Sequence, residues 1–103
     1  MQHLVTITRR DLTTSQQAVQ SAHADIDFTF EHPGRAGPWH KDNYLVMLTV
    51  ATELDLHNLI NICEKNKILY TIFSEPDLGN SITAIALEPG PITEHITRKL
   101  PLL

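Results

Sequence analysis

Gln16-Gln17-Ala18-Val19-Gln20-Ser21-Ala22-His23-Ala24-Asp25-Ile26-Asp27 follows an apolar run and reads as the first helix. At 100° per residue, Gln16, Gln20, His23 and Asp27 fall within about 60° of one another, while Val19, Ala22, Ile26 and Phe30 cluster on the adjoining face. The spacing predicts a helix with a core face made by that apolar quartet and a narrow polar stripe beside it. Two amides, an imidazole and a carboxylate are a more varied set than the Lys and Glu that usually fill a solvated face, although any amphipathic helix has a polar side.

Working outward, His3 to Thr8 alternates and is rich in Val, Ile and Thr, which predicts a first strand. Asp11-Leu12-Thr13-Thr14-Ser15 supplies N-caps, and Thr13 with Gln16, or Thr14 with Gln17, has capping-box spacing, so the helix starts there and runs to about Phe30. Glu31 to Asn43 holds Pro33-Gly34 and Gly37-Pro38 with little periodicity, which predicts a long loop ordered through Trp39. Tyr44 to Val50 is a nearly continuous apolar run, the pattern of a central strand covered on both faces.

Thr52 and Asp55 form a second capping box ahead of Leu56, Leu59, Ile60 and Cys63, which repeat at helical spacing up to Lys65-Asn66-Lys67. Ile68 to Phe73 and Ser81 to Leu87 read as strands three and four, neighbours joined by the turn-rich Ser74 to Asn80. Pro91 suits the first position of a short helix with Ile92, Ile96 and Leu100 on one side. A helical crossover favours parallel neighbours and the late strand pair an antiparallel one. Residues 1–103 are therefore expected to form a single α/β domain with a four-stranded mixed sheet and helices on both faces.

Composition bounds the function. Hydrophobic residues make up 42% and aromatics only 6%, so aliphatic side chains must build the interior. The single cysteine, Cys63, excludes an internal disulfide, fits a reducing compartment, and sits in an apolar helical series as a small core residue. No apolar run approaches the roughly 20 residues that span a bilayer, and the start lacks the basic-then-apolar pattern of a secretory signal, so a cytoplasmic location with no membrane association is expected. A net charge of −4 argues against a broad basic surface for nucleic acid. A local site would draw its cations from Arg9-Arg10, Arg35, Lys41 and Arg98-Lys99. His3, His32, His40, His57 and His95 show no metal-ligand spacing supported by cysteines, and there is no glycine-rich phosphate loop or Gly-x-Ser-x-Gly elbow, so no metal or cofactor is expected.

Three separated motifs carry a resemblance. Arg9, Asp11 and Leu12 match the Arg-x-Asp-Leu that ends the first strand of type II peptidyl-tRNA hydrolases, and Gln20, His23 and Ala24 match the Gln-x-x-His-Ala of that family's first helix. Asn80-Ser81-Ile82-Thr83 stands where the family has Gly-Ser-x-Thr, and Glu88-Pro89-Gly90-Pro91 lies at the family's closing Gly-Pro. Ser15 and Gln16 replace the family's Gly-Lys, Glu75-Pro76 replaces Asp-Ala-Gly, and the connection after strand three is about three residues shorter than in the active archaeal enzymes. The chain resembles more closely the divergent eukaryotic branch described as peptidyl-tRNA hydrolase domain-containing, which also lacks the helix lysine and has a last strand like Thr83-Ala84-Ile85-Ala86-Leu87.

The resemblance implies a four-stranded mixed sheet between helical layers, a homodimer, and hydrolysis of the ester between a peptide and the 3′ end of tRNA. Such a reaction needs an activated water, a donor for the developing oxyanion and contacts to the nucleic-acid end. His23 is the natural proton carrier, because an imidazole of ordinary pKa, about 6.5, exists in both states near neutrality. Glu75 would orient it or act as base, with Gln20 and Thr83 completing the catalytic set. Arg9, Asp11, Gln16 and Ser81 are the candidate substrate-binding residues. Asp11 and Ser81 equally fit the capping of a turn or strand end, and Thr83 an ordinary strand position. The missing lysine supports an alternative reading, a catalytically weakened member that binds an RNA end or a protein.

Overall fold

The computed structural model describes residues 2–103. The elements run β1 (Leu4–Arg9), α1 (Thr14–Glu31), α2 (Pro33–His40), β2 (Leu45–Val50), α3 (Glu53–Lys65), β3 (Tyr70–Glu75), a 3₁₀ turn (Pro76–Leu78), β4 (Ser81–Leu87) and α4 (Pro91–Thr97). The sheet is four-stranded in the order β2-β1-β4-β3, with β1 and β2 parallel and β4 antiparallel to both of its neighbours. This is the expected mixed sheet: helices separate β1 from β2, whereas the short turn folds β4 directly back on β3.

Strand alternation divides the sheet into two unlike faces. Val5, Ile7, Leu48, Val50, Ile85 and Leu87 point to one side and pack with Leu56, Leu59 and Cys63 of α3, joined by Ile96 and Leu100. Burial raises the Cys63 thiol to about 11, so it stays protonated and inert, as its apolar series suggested. The other face is smaller and more polar. Leu4, Ala84 and Ala86 meet Ala24 and Phe28 of α1 and Ala36 of α2. Thr6, Thr8, Thr71 and Thr83 are buried among or beside them.

That second face corrects the reading of α1. The expected inward quartet faces solvent instead, with Val19 51%, Ile26 56% and Phe30 81% exposed and Ala22 also outside. The helix buries Gln17, Gln20, Ser21, Ala24 and Phe28. Gln20 fits there because Thr83 of β4 donates to its amide oxygen, Gln17 because its Nε2 donates to Leu12 O, and the small Ala84 and Ala86 leave room for the helix to approach.

β2 is likewise an edge strand rather than the centre of the sheet; β1 and β4 are central. Only Leu48 to Val50 of it are buried, and Leu45 is 48% exposed. Its free edge is met by the C-terminal residues: Thr49 N donates to Pro101 O and Leu103 N to Met47 O, both at 2.9 Å. The continuous apolar pattern thus reflects a half-strand buried on both faces and an edge closed by another segment.

Three smaller differences follow from tertiary contacts. The expected loop at Glu31 to Asn43 contains α2, where Pro33 occupies a first-turn position that needs no N–H, Ala36 is buried, and the Trp39 indole N–H donates to Tyr44 O at 2.7 Å. β3 begins two residues later than expected because Ile68 N and Leu69 N are taken by Cys63 O and the Glu88 carboxylate. In α4 the buried side chains are Thr93 and Thr97, while Ile92 is exposed.

Candidate functional site

Gln20 leaves the inner face of α1 at 4% exposure and holds two strands at once. Its Nε2 donates to Glu75 Oε1 at 2.9 Å, and its Oε1 accepts from the Thr83 hydroxyl at 2.5 Å. Thr83 reaches the helix because of a bulge in β4. Phe73 pairs with Ala84 and Ser74 with Ile82, leaving Thr83 without a partner. The extra residue breaks the alternation, so Thr83 joins Ala84 on the α1 side and Ile82 packs with the α3-side core. A hydrogen bond from the Thr8 hydroxyl to Thr83 O, 2.8 Å, pins the bulge to β1.

One turn after Gln20, the exposed His23 lays its imidazole flat on Phe73, with ring centroids 4.5 Å apart and an interplanar angle of 8°. The stack fixes the plane of the ring while leaving its edge open to a ligand. Phe73 lies two residues before Glu75 in β3 and so on the same face, which puts the stack of His23 on Phe73 on the same side of the sheet as the hydrogen bonds that join Gln20 to Glu75 and Thr83. Sequence reasoning missed Phe73; its two-residue spacing from Glu75 was the available signal, obscured by ending the strand at Phe73. Ser81 pairs with Glu75 across the β3/β4 ladder, at the same end of the sheet.

The remaining candidates belong to other structures. Arg9 clasps Asp11 through Nε and Nη2 at 2.8 and 2.9 Å, and its Nη1 donates to Ile82 O at 3.1 Å. Glu53 accepts from Ile82 N at 2.9 Å, lies 3.8 Å from Arg9, and is 3.5 Å from His57. The clasp raises the Arg9 pKa and holds the Asp11 carboxyl below its ordinary value; the backbone bond from Ile82 does the same for Glu53. Arg9 and Asp11 therefore tie the end of β1 to the bulged start of β4, and their polar groups are spent on each other. The side-chain oxygen of Gln16 is taken as well, since its Oε1 accepts from Thr13 N at 3.0 Å while Thr13 Oγ1 accepts from Gln16 N, both halves of the capping box.

A cleft of about 350 Å³ lined by Arg10, Asp55, Asn58, Leu59, Ile62 and Leu100 contains none of the candidate residues and lies beside α3. Among the described residues no three His, Cys, Asp or Glu side chains converge as a metal site. No helix among them is long and apolar enough to cross a membrane.

Residues 2–103 match the family model described as Peptidyl-tRNA hydrolase PTH2. No curated protein matches the sequence.

Proposed function

The chain belongs to the peptidyl-tRNA hydrolase PTH2 family, and on that premise we propose that it hydrolyses the ester joining a peptide to the terminal ribose of tRNA. The observation that carries this reading is the exposed His23 ring, held flat on Phe73 beside a carboxylate that Gln20 fixes in place. His23 takes a proton from water as the water oxygen bonds to the ester carbonyl carbon. Glu75 orients that water, and the second N–H of Gln20 Nε2 faces the developing oxyanion. Collapse of the tetrahedral species breaks the carbon–ribose oxygen bond, and His23 returns its proton to the ribose oxygen. The products are a peptide acid and tRNA with a free hydroxyl.

Thr83 enters as a positioning residue, because its one proton is shared between Gln20 Oε1 at 2.5 Å and Phe73 O at 3.4 Å and none is left for substrate. Ser81, paired with Glu75, retains a hydroxyl for the ribose. Release of peptide from purified peptidyl-tRNA under single-turnover conditions tests the reading. His23→Ala is expected to slow release by roughly 10²-fold or more with thermal unfolding little changed, since general acid or base catalysis contributes about that much. Wild-type release equal to buffer would overturn it.

One observation favours a second reading, a binding protein with weakened chemistry: the first turn of α1 carries Gln16, locked in the cap, where the resembling enzymes have a lysine. That reading predicts activity in Gln16→Lys and none in the wild type.

A further inference from the structure

β3 is an edge strand, and its free edge runs into the candidate site. Leu69 O accepts from Glu88 N, Phe73 O from the Thr83 hydroxyl, and Glu75 O from Asn80 N, so these residues turn their backbone groups toward β4. Alternate residues of an antiparallel pair point the other way, which turns Tyr70, Ile72 and Ser74 outward. Tyr70 O is met by His32 Nε2 at 3.0 Å. Among the described residues no strand lies beside the N–H and C=O groups of Ile72 and Ser74. The sheet's other edge is already occupied by Pro101 and Leu103. β3 also lacks Lys and Pro, the residues with which natural edges repel a further strand.

We propose that this open edge binds the peptide portion of the substrate, which adds as a short extended strand beside Ile72 and Ser74 with its C-terminal residue at Glu75. The proposal rests on the hydrolase reading and names the part of the substrate that the catalytic residues leave unaccounted for. An enzyme that releases peptides of any sequence must recognise what all of them share, the main chain, and strand addition does so without reading side chains. With its C-terminal end at Glu75 the peptide lies parallel to β3. At about 3.3 Å per residue, the stretch from Ile72 to Glu75 spans roughly 10 Å and holds about three residues.

Charge selects the same occupant. The side chains that α1 sets against β3 are Gln20 on Glu75, His23 on Phe73 and Glu31 on Thr71, and Glu64 accepts from the Tyr70 hydroxyl. None is Lys or Arg; at the Tyr70 end the carboxylates Glu31 and Glu64 are accompanied by Lys67, which lines the same hollow as Glu64 and Tyr70. A phosphate backbone finds no cation among the side chains that α1 sets against β3, whereas an uncharged peptide main chain needs none.

The test is amide hydrogen exchange on the full chain with an N-acetyl-tetrapeptide joined through an amide to 3′-amino-3′-deoxyadenosine, and with the same probe N-methylated along its peptide backbone. The unmodified probe is expected to slow exchange at the Ile72 and Ser74 amides about tenfold or more, and the N-methylated one to leave them unchanged. In parallel, the ratio of kcat/KM for tetrapeptidyl-tRNA over N-acetyl-aminoacyl-tRNA should be about ten or more. It should fall toward one in Ile72→Pro, which removes an outward N–H that the β3/β4 ladder does not use. Unchanged exchange with bound probe, or equal protection by both probes, overturns the proposal even if the ester is cleaved. Protection without cleavage of any peptidyl-tRNA leaves the peptide site standing and removes the hydrolase reading. Protection that grows with protein concentration alone assigns the edge to a second copy of the chain and overturns the proposal.

Discussion

Thr83 and Asp25 are both polar residues on the α1 side of the sheet, and their environments set opposite consequences. Thr83 is fully buried, yet each of its polar groups is paired, the hydroxyl to Gln20 and the carbonyl to Thr8. Thr83→Val keeps the shape, removes the donor and strands Gln20 Oε1, which should cost about 1–3 kcal/mol in urea unfolding. If Thr83 positions Gln20 for the reaction, kcat should fall with KM nearly constant, and Thr83→Ser should restore it. Asp25 accepts from the Thr6 hydroxyl through Oδ1, but Oδ2 has no partner among the described residues, and neither have Gln17 Oε1 two turns earlier and Ser21 Oγ one turn earlier. Burial raises the Asp25 carboxyl from 3.8 to about 6, outweighing the Thr6 bond. The folded state thus holds this proton more tightly than the unfolded chain does. Its contribution to stability is complete below about pH 4 and is lost as pH rises through about 6. Asp25→Asn should be more stable than wild type at pH 7.5 by about 1–3 kcal/mol, with the difference shrinking toward pH 5. Asp11 and Glu53, whose carboxyls are lowered, act in the opposite sense only at more acid pH. A gap independent of pH would assign the orphaned carboxylate a different role.

At the scale of elements, the existence of α1 was legible in its cap. Thr13 and Gln16 make the reciprocal bonds that their spacing predicts, as do Thr52 and Asp55 ahead of α3. Thr13→Ala should cost about 1 kcal/mol, read from the urea midpoint. The rotation of α1 about its axis was not legible, because hydrophobic periodicity assumes that the apolar stripe faces inward. Two phenylalanines two residues apart test the observed rotation. Phe28→Ala should cost about 3–5 kcal/mol, since Phe28 is fully buried against Ala84 and Ala86, whereas Phe30→Ala should change stability by less than about 0.5 kcal/mol. Comparable losses for both would mean that the outer stripe is covered in solution. The bulge in β4 was equally hidden: Thr83 in an alternating strand belongs on the α3 side, and only pairing with β3 and Gln20 shows that it does not.

For the whole molecule, charge sets how nucleic acid can be held. Of eight Lys and Arg, Arg9 and Arg35 are paired with carboxylates, and Arg35 also donates to Pro89 O. Arg10 spends one nitrogen on Thr49. The chain's net charge is −4 and its remaining cations are scattered along the sequence, so few phosphates can be neutralised together, and the slope of log affinity against log salt for tRNA should be about −3 or shallower, at roughly −0.9 per phosphate contact in duplex. A steep slope would overturn this expectation. Such a protein gains little from the phosphate backbone and depends correspondingly on contacts at the reacting end.

The sequence by itself determined the four strands, the helices α1, α3 and α4, the capping-box spacings ahead of α1 and α3 and the mixed sheet, because caps, strand alternation and turn chemistry are written over a few adjacent residues, whereas Gln20, His23, Glu75 and Thr83 were named together only through the family resemblance. Only the tertiary structure decided which face of α1 is buried, that β2 is an edge, that Glu31 to Asn43 holds a helix, and that the Arg9 guanidinium is taken up by the Ile82 carbonyl. Each of these depends on a partner tens of residues away: threonines and alanines that welcome amides, a C-terminal segment that closes an edge, a buried Ala36 that rewards two prolines and two glycines for coiling, and an Ile82 peptide that claims a guanidinium. A helix's own periodicity carries no record of the surface it will meet, so the choice of face belongs to the sheet.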